Sequence, residues 1–277
     1  MRGYIDLLRP MNCGIVAIAI FIGAVVAVGP ESLDERIFYI VMAIFAGLFF
    51  TGAGNSMNDF FDRDSDRINH PKRPIPSGRV SPSNALFFAA ALFVLALIFG
   101  LLAGLLPILI VIVNLSVMVT YELWFKRSGM KGNIAISWLV ASLFIFGGTA
   151  VYDGASITLQ RVVWLGILAF FTTLGREIVK DIEDVTGDLD RKTLPKVIGV
   201  NKAGFIAALS FIIGVTLSPL PFTTNVLGTS YLGIVVLADG IFIYCAWFAA
   251  IKPNQVSRVA KYGMVVALIA FLIGGAM

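Results

Sequence analysis

The chain has 277 residues and a net charge of +4; 58% of its residues are hydrophobic, only 14% are charged, and the mean hydropathy is +0.90. Soluble globular domains are about 45–50% apolar and about 25% charged, so this composition excludes a soluble domain and predicts an all-α, polytopic membrane protein. The pI near 9.1 would suit a nucleic-acid partner, but the basic residues are divided among loops between apolar segments, which argues against one.

Nine stretches of the chain meet the requirement of about 20 mainly apolar residues for a membrane-spanning helix. A short break at Pro107 separates the third stretch from the fourth, and the eighth stretch carries Asp239 inside it. The predicted spans are 11–29, 37–57, 84–103, 105–121, 134–151, 162–179, 203–220, 227–250 and 259–276.

The distribution of basic residues orients these spans. Of the 21 lysines and arginines, only Arg36 and Arg161 fall in loops on the side opposite to the N-terminus. The positive-inside rule therefore predicts a cytoplasmic N-terminus and, with nine spans, a C-terminus on the other side. The same asymmetry supports the span count, because one missed helix would mix the basic loops with the others.

Several small side chains within the spans are predicted to serve packing. Cys13 and Cys245 lie in predicted helices near the cytoplasmic side, where two lone thiols are expected to stay free. Gly23 and Gly100 each have another small residue four positions later, a spacing that allows two helices to approach closely.

Two acidic clusters follow the second and sixth predicted spans. The first, NDFFDRDSDRINHPKRPIPSGR, covers 58–79, and the second, REIVKDIEDVTGDLDRKTLP, covers 176–195. Four spans lie between them, an even number, so both clusters emerge on the same, cytoplasmic, side. Because each cluster has acids three and four residues apart and then a basic pair and a proline, we predict two pseudo-repeated four-helix units, about 1–125 and 126–250, followed by a last helix at 259–276.

The spacing within each cluster places three side chains on one stripe, if the helices continue past the hydrocarbon edge. The stripes are Asn58, Asp62 and Asp66, and Asp181, Asp184 and Asp188. Carboxylates about 6 Å apart repel by roughly 3 kcal/mol at an effective dielectric of 20, so a cation is expected between them. The bases follow the acids in a separate loop, which favours Mg²⁺ with a phosphate group. One such run would suit a solvated loop, but two matched runs favour a functional site.

These motifs resemble those of a known family. NDFFDRDSD resembles the NDxxDxxxD motif of the UbiA superfamily of intramembrane prenyltransferases, DIEDVTGD resembles its second, DxxxD-type motif, and KRPIPSGR is similar to the loop after the first motif. Within the superfamily, GREIVKDIEDVTGD followed by RKTLP is most similar to the archaeal digeranylgeranylglyceryl phosphate synthases. The resemblance covers essentially the whole chain and implies one transmembrane domain, 1–277, with nine helices around a central cavity open to the cytoplasm and laterally to lipid.

The resemblance also implies which residues form the site. The implied ligands of Mg²⁺ are Asn58, Asp62, Asp66, Asp181, Asp184 and Asp188, with Asp62, Asp66, Asp184 and Asp188 as the catalytic carboxylates. The candidate substrate-binding residues are Asp59, Lys72, Arg73, Arg79, Tyr121, Lys126, Arg127, Lys131, Arg9 and Asn12. The family often has a Tyr-x-x-x-Lys motif, whereas here Tyr121 and Lys126 are one residue further apart, which leaves the family role open between Lys126 and Arg127. His70 is predicted to be a surface loop residue.

The implied activity is Mg²⁺-dependent transfer of a geranylgeranyl group from geranylgeranyl diphosphate to the free hydroxyl of geranylgeranylglyceryl phosphate, which forms the second ether bond of archaeal lipids. One alternative is prenylation of an aromatic acceptor such as 4-hydroxybenzoate, or of a quinone, haem or chlorin precursor. Another is a secondary transporter, although transport sites usually lie near the midplane, where only Asp239 falls. The expected partners are a prenyl diphosphate, a lipid-like hydroxyl acceptor and the bilayer; the sequence sets no oligomeric state.

Overall fold

The computed structural model of the protein describes residues 2–185 and 192–276. Over these ranges the chain forms helices and short 3₁₀ turns and no strand, which confirms the all-α prediction. The helices are α1 (Arg2–Leu8), α2 (Pro10–Val28), α3 (Ile37–Phe61), α4 (Arg63–Asn69), α5 (Pro82–Ala103), α6 (Leu105–Leu123), α7 (Met130–Ala150), α8 (Ser156–Glu183), α9 (Leu194–Ile198), α10 (Val200–Leu217), α11 (Leu220–Thr223), α12 (Thr229–Phe248) and α13 (Pro253–Ala276).

Nine helical segments in the described ranges are long and apolar enough to cross a membrane, as the sequence predicted. Their bounds differ most from the predicted ones at α8, which begins six residues before the predicted start at 162 and ends four residues after 179. With 28 residues, α8 is about 42 Å long, whereas the hydrocarbon core is about 30 Å thick. Its polar end turns, which contain Arg161 and Lys180, therefore extend the helix beyond the apolar window.

The first span, α2, contacts α3, α7, α8 and α13, and its contact with α7 is made backbone to backbone. A Cβ atom added to Gly147 would lie 2.0 Å from the carbonyl oxygen of Ile20, and one added to Gly23 would lie 2.3 Å from that of Phe144. The close contact predicted at Gly23 is confirmed, and α7 is the partner. Small residues on both helices let the two backbones approach.

Replacing Gly147 with alanine is expected to lower the free energy of unfolding by about 1–3 kcal/mol, because the added methyl group has no space beside the Ile20 carbonyl. Unfolding of the purified protein in detergent measures the change. Gly14→Ala in α2 is the matched control, since a Cβ at Gly14 meets no atom within 4 Å. Equal stability of the Gly147 and Gly14 variants would contradict the expected close contact.

Two polar residues of α12 are hydrogen-bonded inside the bundle. Asp239 in α12 accepts a 2.7 Å hydrogen bond from the Ser218 hydroxyl, and the Tyr231 hydroxyl donates to the Ser218 carbonyl oxygen. Cys13 and Cys245 are both free thiols, as predicted. The division of the chain into two pseudo-repeated units stays a prediction.

The short elements α1 and α4 and the loop between α4 and α5 lie together beside the end of α3. Leu7 of α1 is fully buried against Ile75 and Val80 of the loop, and this apolar cluster fixes the loop on α1. Gly78 has a φ of 74°, which glycine adopts without the steric cost of a side chain and which turns the loop back towards α5. Ser81 then ends the loop, because its hydroxyl accepts a hydrogen bond from the Asn84 backbone N–H.

Candidate active site

The first acidic motif spans an interruption between α3 and α4. The predicted stripe required the helix to continue from Asn58 to Asp66, but α3 ends at Phe61 and Asp62 occupies the junction, with φ −89° and ψ 2°. Backbone hydrogen bonds nevertheless continue across it, from Asp62 N–H to the Asn58 carbonyl and from Asp66 N–H to the Asp62 carbonyl. The backbone therefore keeps the helical hydrogen bonding between residues four apart, while the side chains of the motif contact different partners.

Two carboxylates of this motif are buried and neutralised by arginines from other elements. Asp59 and Asp66 are 1% and 4% exposed, so both need a cationic partner. Arg9, between α1 and α2, lies 2.5 Å from Asp59. Arg73 in the loop lies 2.6 Å from Asp66 and 3.6 Å from Asp59. The loop that was expected to hold its basic residues apart from the acids thus folds back onto them.

The remaining residues of the stripe face the end of α6. Lys126 Nζ lies 2.9 Å from Asp62 Oδ1 and 2.9 Å from Glu122 Oε2. Asn58 donates a 2.9 Å hydrogen bond from Nδ2 to the other oxygen of Glu122. The side chains of Glu122 and Lys126 are 0% and 7% exposed, so this is a closed polar cluster. It links the first motif to the segment YELWFK.

The extra residue in YELWFK is accommodated by the change of helix type after α6. That helix ends at Leu123, and the chain continues as a 3₁₀ turn at Phe125–Arg127. Lys126 consequently still reaches Asp62, and its ammonium lies 5.9 Å from the centre of the Tyr121 ring. The side chain of Arg127 lies outside the part of the chain that the structure describes. The geometry therefore favours Lys126 for the role that the sequence left open.

The second acidic motif lies at the end of α8. Asp181 is half-buried and accepts a 3.0 Å hydrogen bond from Asn133 Nδ2 at the start of α7. Asp184 follows the last residue of α8 and is exposed. Asp188 lies outside the described residues. The structure thus places Asp181 of the second motif against the beginning of α7, which starts three residues after the 3₁₀ turn that carries Lys126.

Two cavities lie beside the first motif and share one lining residue, Arg9. The larger, here called the central cavity, has a volume of about 580 Å³ and is bordered by α2, α3, α6 and α7, with Leu268 of α13. Its walls are mainly apolar, and its polar lining residues are Arg9, Asn12, Thr51, Asn55, Asn58, Asn114, Tyr121 and Glu122. The second, here called the loop pocket, has a volume of about 480 Å³. It is lined by Asp6, Arg9, Asp59, Asn69, His70, Pro71, Lys72, Arg73, Pro74 and Arg79.

Arg9 lines both cavities. Its φ of 51° is left-handed, an unfavourable conformation for a residue with a side chain, and Pro10 begins α2 directly after it. The ion pair with Asp59 offsets part of this strain. The turn places the Arg9 side chain in the lining of both the charged pocket and the apolar cavity.

The other predicted substrate-binding residues are spread over these two cavities and the neighbouring surface. Arg79 forms an ion pair with Asp6 and donates a 2.7 Å hydrogen bond to the Lys72 carbonyl. Lys72 and His70 are exposed in the loop pocket, as predicted for a loop histidine. Lys131 is exposed at the start of α7, 5.9 Å from the centre of the Phe125 ring.

Sequence reasoning missed three polar residues of this region: Glu122, Asn133 and Asp6. Glu122 and Lys126 are four residues apart, a spacing at which oppositely charged side chains meet on a helix, and this signal was available. Asn133 stands at the start of the fifth span and gave no comparable signal. Asp6 meets Arg79 from 73 residues away, a contact that only the folded chain defines.

Comparison with known proteins places these features in a family. The family described as the UbiA prenyltransferase family matches residues 16–272 of the chain. The chain belongs to the UbiA prenyltransferase family. The digeranylgeranylglyceryl phosphate synthase of Natronomonas pharaonis is 41% identical over 276 residues, which cover 99% of this chain and 97% of that relative. The family membership confirms the resemblance seen in the two acidic motifs.

Solved structures agree with the UbiA fold. A structure from work on digeranylgeranylglyceryl phosphate synthase in membranes has a TM-score of 0.88 and 31% identity, and the match covers 99% of this chain and 98% of that one. A UbiA homolog from Archaeoglobus fulgidus bound to GPP and Mg²⁺ has a TM-score of 0.69, with 99% and 100% of the chains covered; at 16% identity it shows the fold alone. The protein is a multi-pass membrane prenyltransferase, so the transporter alternative is set aside.

Proposed function

We propose that this UbiA-family protein transfers a geranylgeranyl group from geranylgeranyl diphosphate to the free hydroxyl of geranylgeranylglyceryl phosphate, in a Mg²⁺-dependent reaction. The observation that carries the proposal is that Arg9 joins the lining of a pocket with four basic residues to the lining of a largely apolar cavity of about 580 Å³. Such an arrangement suits a substrate with a charged head and a long hydrocarbon chain. Full-length similarity to digeranylgeranylglyceryl phosphate synthases favours the glyceryl phosphate acceptor over an aromatic one.

The diphosphate of the donor would lie between the loop pocket and the first motif. Arginine binds phosphate oxygens with two parallel N–H groups, and Arg9 and Arg73 are the arginines nearest to the buried acids. Lys126 adds a compact ammonium from the side of α6. The isoprenoid chain then extends into the central cavity, whose apolar walls exclude water.

The donor set of the site fits Mg²⁺. No three carboxylate, histidine or cysteine side chains among the described residues form a metal site by themselves. Mg²⁺ does not require such a cage, because it keeps several waters and commonly completes its shell with substrate phosphates. The residues that would hold it are Asn58, Asp62 and Asp66, with Asp181, Asp184 and Asp188. When bound, it would act as a Lewis acid that stabilises negative charge on the leaving pyrophosphate.

The reaction breaks the bond between the allylic carbon and the diphosphate oxygen, and pyrophosphate leaves with the electron pair. Arg9, Arg73 and Lys126 stabilise that charge, because they are held in place before it develops. The apolar cavity shields the allylic cation from water until the acceptor hydroxyl attacks it and releases its proton. Attack by the hydroxyl forms the ether bond.

The acceptor carries a phosphate of its own, which needs cationic partners near the membrane surface. Lys131 is exposed at the start of α7 and follows Lys126 and Arg127, so this segment is the proposed contact for the acceptor phosphate. Asn12 borders the central cavity at its polar end, where the acceptor hydroxyl would approach. We place this end of the bundle on the cytoplasmic side, because the loops there carry most of the basic residues.

The acceptor assignment predicts a clear preference in a direct assay. Purified protein with geranylgeranyl diphosphate and Mg²⁺ is expected to form the diether product with geranylgeranylglyceryl phosphate and none with 4-hydroxybenzoate. Removal of the divalent ion with EDTA should stop the reaction, and added Mg²⁺ should restore it. Product with 4-hydroxybenzoate alone would reject the proposed acceptor, and full activity in EDTA would reject the metal dependence.

A further inference from the structure

Glu122 is a buried carboxylate at the end of α6 that none of the roles above uses. Its side chain is 0% exposed, and each of its two oxygens has one partner in the site. Oε1 accepts a hydrogen bond from Asn58, and Oε2 lies 2.9 Å from the ammonium of Lys126. One side chain thus contacts both a residue of the first motif and the lysine that meets Asp62.

The contact with Glu122 sets the orientation of the Asn58 amide. A carboxylate only accepts hydrogen bonds, so the amide nitrogen of Asn58 must face it, at a distance of 2.9 Å. The amide oxygen is then directed away from Glu122. Because Asn58 borders the central cavity, this oxygen is available on the side where a hard cation or a polar substrate group would bind.

The contact with Lys126 fixes a flexible side chain. A lysine ammonium sits on a four-carbon stem with many rotamers, and a buried charge needs a partner. Lys126 has two carboxylate partners, Asp62 and Glu122, each at 2.9 Å. Glu122 lies four residues before Lys126 on the same segment, a spacing that favours this pair whatever the first motif binds.

We propose that Glu122 is a positioning residue for the donor diphosphate, because it sets the direction of the Asn58 amide and holds the Lys126 ammonium beside Asp62. The inference rests on the proposed function for the identity of the donor head group, and it is independent of the acceptor. Glu122 would act through Asn58 and Lys126 and would not itself touch the diphosphate.

Glu122→Gln tests the role with little change of volume. Glutamine has one amide nitrogen in place of a carboxylate oxygen, so either that donor faces the Lys126 ammonium or the Asn58 amide must turn over to accept from it. The KM for geranylgeranyl diphosphate is expected to rise about tenfold or more, the loss typical when a residue that hydrogen-bonds and orients a ligand-binding side chain is replaced. The KM for the acceptor is expected to stay unchanged. Thermal unfolding with inorganic pyrophosphate and Mg²⁺ gives a readout without turnover. These ligands are expected to raise the unfolding temperature of the parent protein, and Glu122→Gln should lose most of that increase.

Three controls separate positioning from general damage. Glu177→Gln removes another ion-paired glutamate, which lies 2.9 Å from Arg176 and 3.0 Å from Lys180, and should leave the stabilisation by pyrophosphate unchanged. In a Lys126→Ala background, Glu122→Gln should have a smaller effect than it has alone, because only its action through Asn58 remains. Should Glu122→Gln fail to fold, Glu122→Asp keeps the charge but shortens the reach, and the same loss of pyrophosphate stabilisation is expected.

Unchanged donor KM together with unchanged pyrophosphate stabilisation in the folded variant would overturn the inference. So would fully multiplicative effects of Glu122→Gln and Lys126→Ala, which would mean that the two residues act independently. Pyrophosphate contains no isoprenoid chain and requires no acceptor. A parent protein stabilised by pyrophosphate that makes no product with geranylgeranylglyceryl phosphate would therefore reject the proposed acceptor and leave the role of Glu122 standing.

Discussion

Replacing Asp62 with asparagine is expected to lower the kcat of prenyl transfer by about 10²- to 10³-fold, the loss typical of removing one electrostatic stabiliser of a transition state. Asp62 stands at the junction of α3 and α4 and lies 2.9 Å from the Lys126 ammonium. The asparagine side chain keeps the volume but loses the charge that would hold Mg²⁺ and orient Lys126. Initial rates with saturating geranylgeranyl diphosphate, measured on protein of confirmed secondary structure, give the change.

Asp64→Asn is the matched control, since it removes the same charge two residues away. The Asp64 side chain is 74% exposed and its nearest basic partners, Arg63 and Arg67, are both 3.9 Å away. Surface pairs of this kind contribute little, so activity should stay near that of the parent. Similar losses in the two variants would mean that the reaction needs the net charge of the segment and not a specific carboxylate at Asp62.

Most of the fold could be predicted because a bilayer leaves the chain few options. Backbone groups in hydrocarbon must be hydrogen-bonded internally, so each long apolar run has to become a helix, and all nine predicted spans have a counterpart in the described residues. The helix ends were less predictable. At its C-terminal end α8 continues past the apolar window through Lys180 to Glu183. Helix propensity and capping decide where such a helix ends, and hydropathy carries no information about either.

The residue types of the site were predictable from the two motifs, but their pairing was not. Arg9 meets Asp59 from 50 residues away, and Glu122 meets Asn58 from 64 residues away. Contacts at such separations are set by how α1, α3 and α6 pack, and no local pattern encodes them. Local spacing does encode the pair of Glu122 with Lys126, which is why that one contact could have been found from the sequence.

The interruption of the helix at Asp62 shows how helical spacing and the ion pairs of the site compete. A continuous helix would place Asn58, Asp62 and Asp66 on one stripe, where the like charges of Asp62 and Asp66 repel. At this junction Asp62 lies beside Lys126, and Asp66 lies beside Arg73. The backbone bonds across the junction persist, so the change costs little hydrogen bonding and separates the two carboxylates between different cations.

Replacing Arg73 with alanine is expected to lower the free energy of unfolding by about 3 kcal/mol and also to weaken binding of the donor. Arg73 is the 2.6 Å partner of Asp66 and a second, 3.6 Å partner of Asp59. Both carboxylates are at most 5% exposed at the side chain, and removing one member of a buried pair leaves the other charge uncompensated. Asp59 would still be paired with Arg9, and the Arg73 side chain is 28% exposed. For both reasons the expected loss of unfolding free energy lies at the lower end of the range for breaking a buried ion pair. Unfolding in detergent and the KM for geranylgeranyl diphosphate measure the two effects.

Two further variants separate stability from binding at Arg73. Arg67→Ala removes an arginine whose side chain is 71% exposed, and it should change neither quantity. Arg73→Lys keeps the positive charge near Asp66, so it should recover much of the stability. It should not recover the donor KM, because a single ammonium lacks the two parallel N–H groups that bind phosphate oxygens. Full recovery of both by lysine would show that Arg73 serves only as a counter-charge to the buried acids and that the diphosphate binds elsewhere.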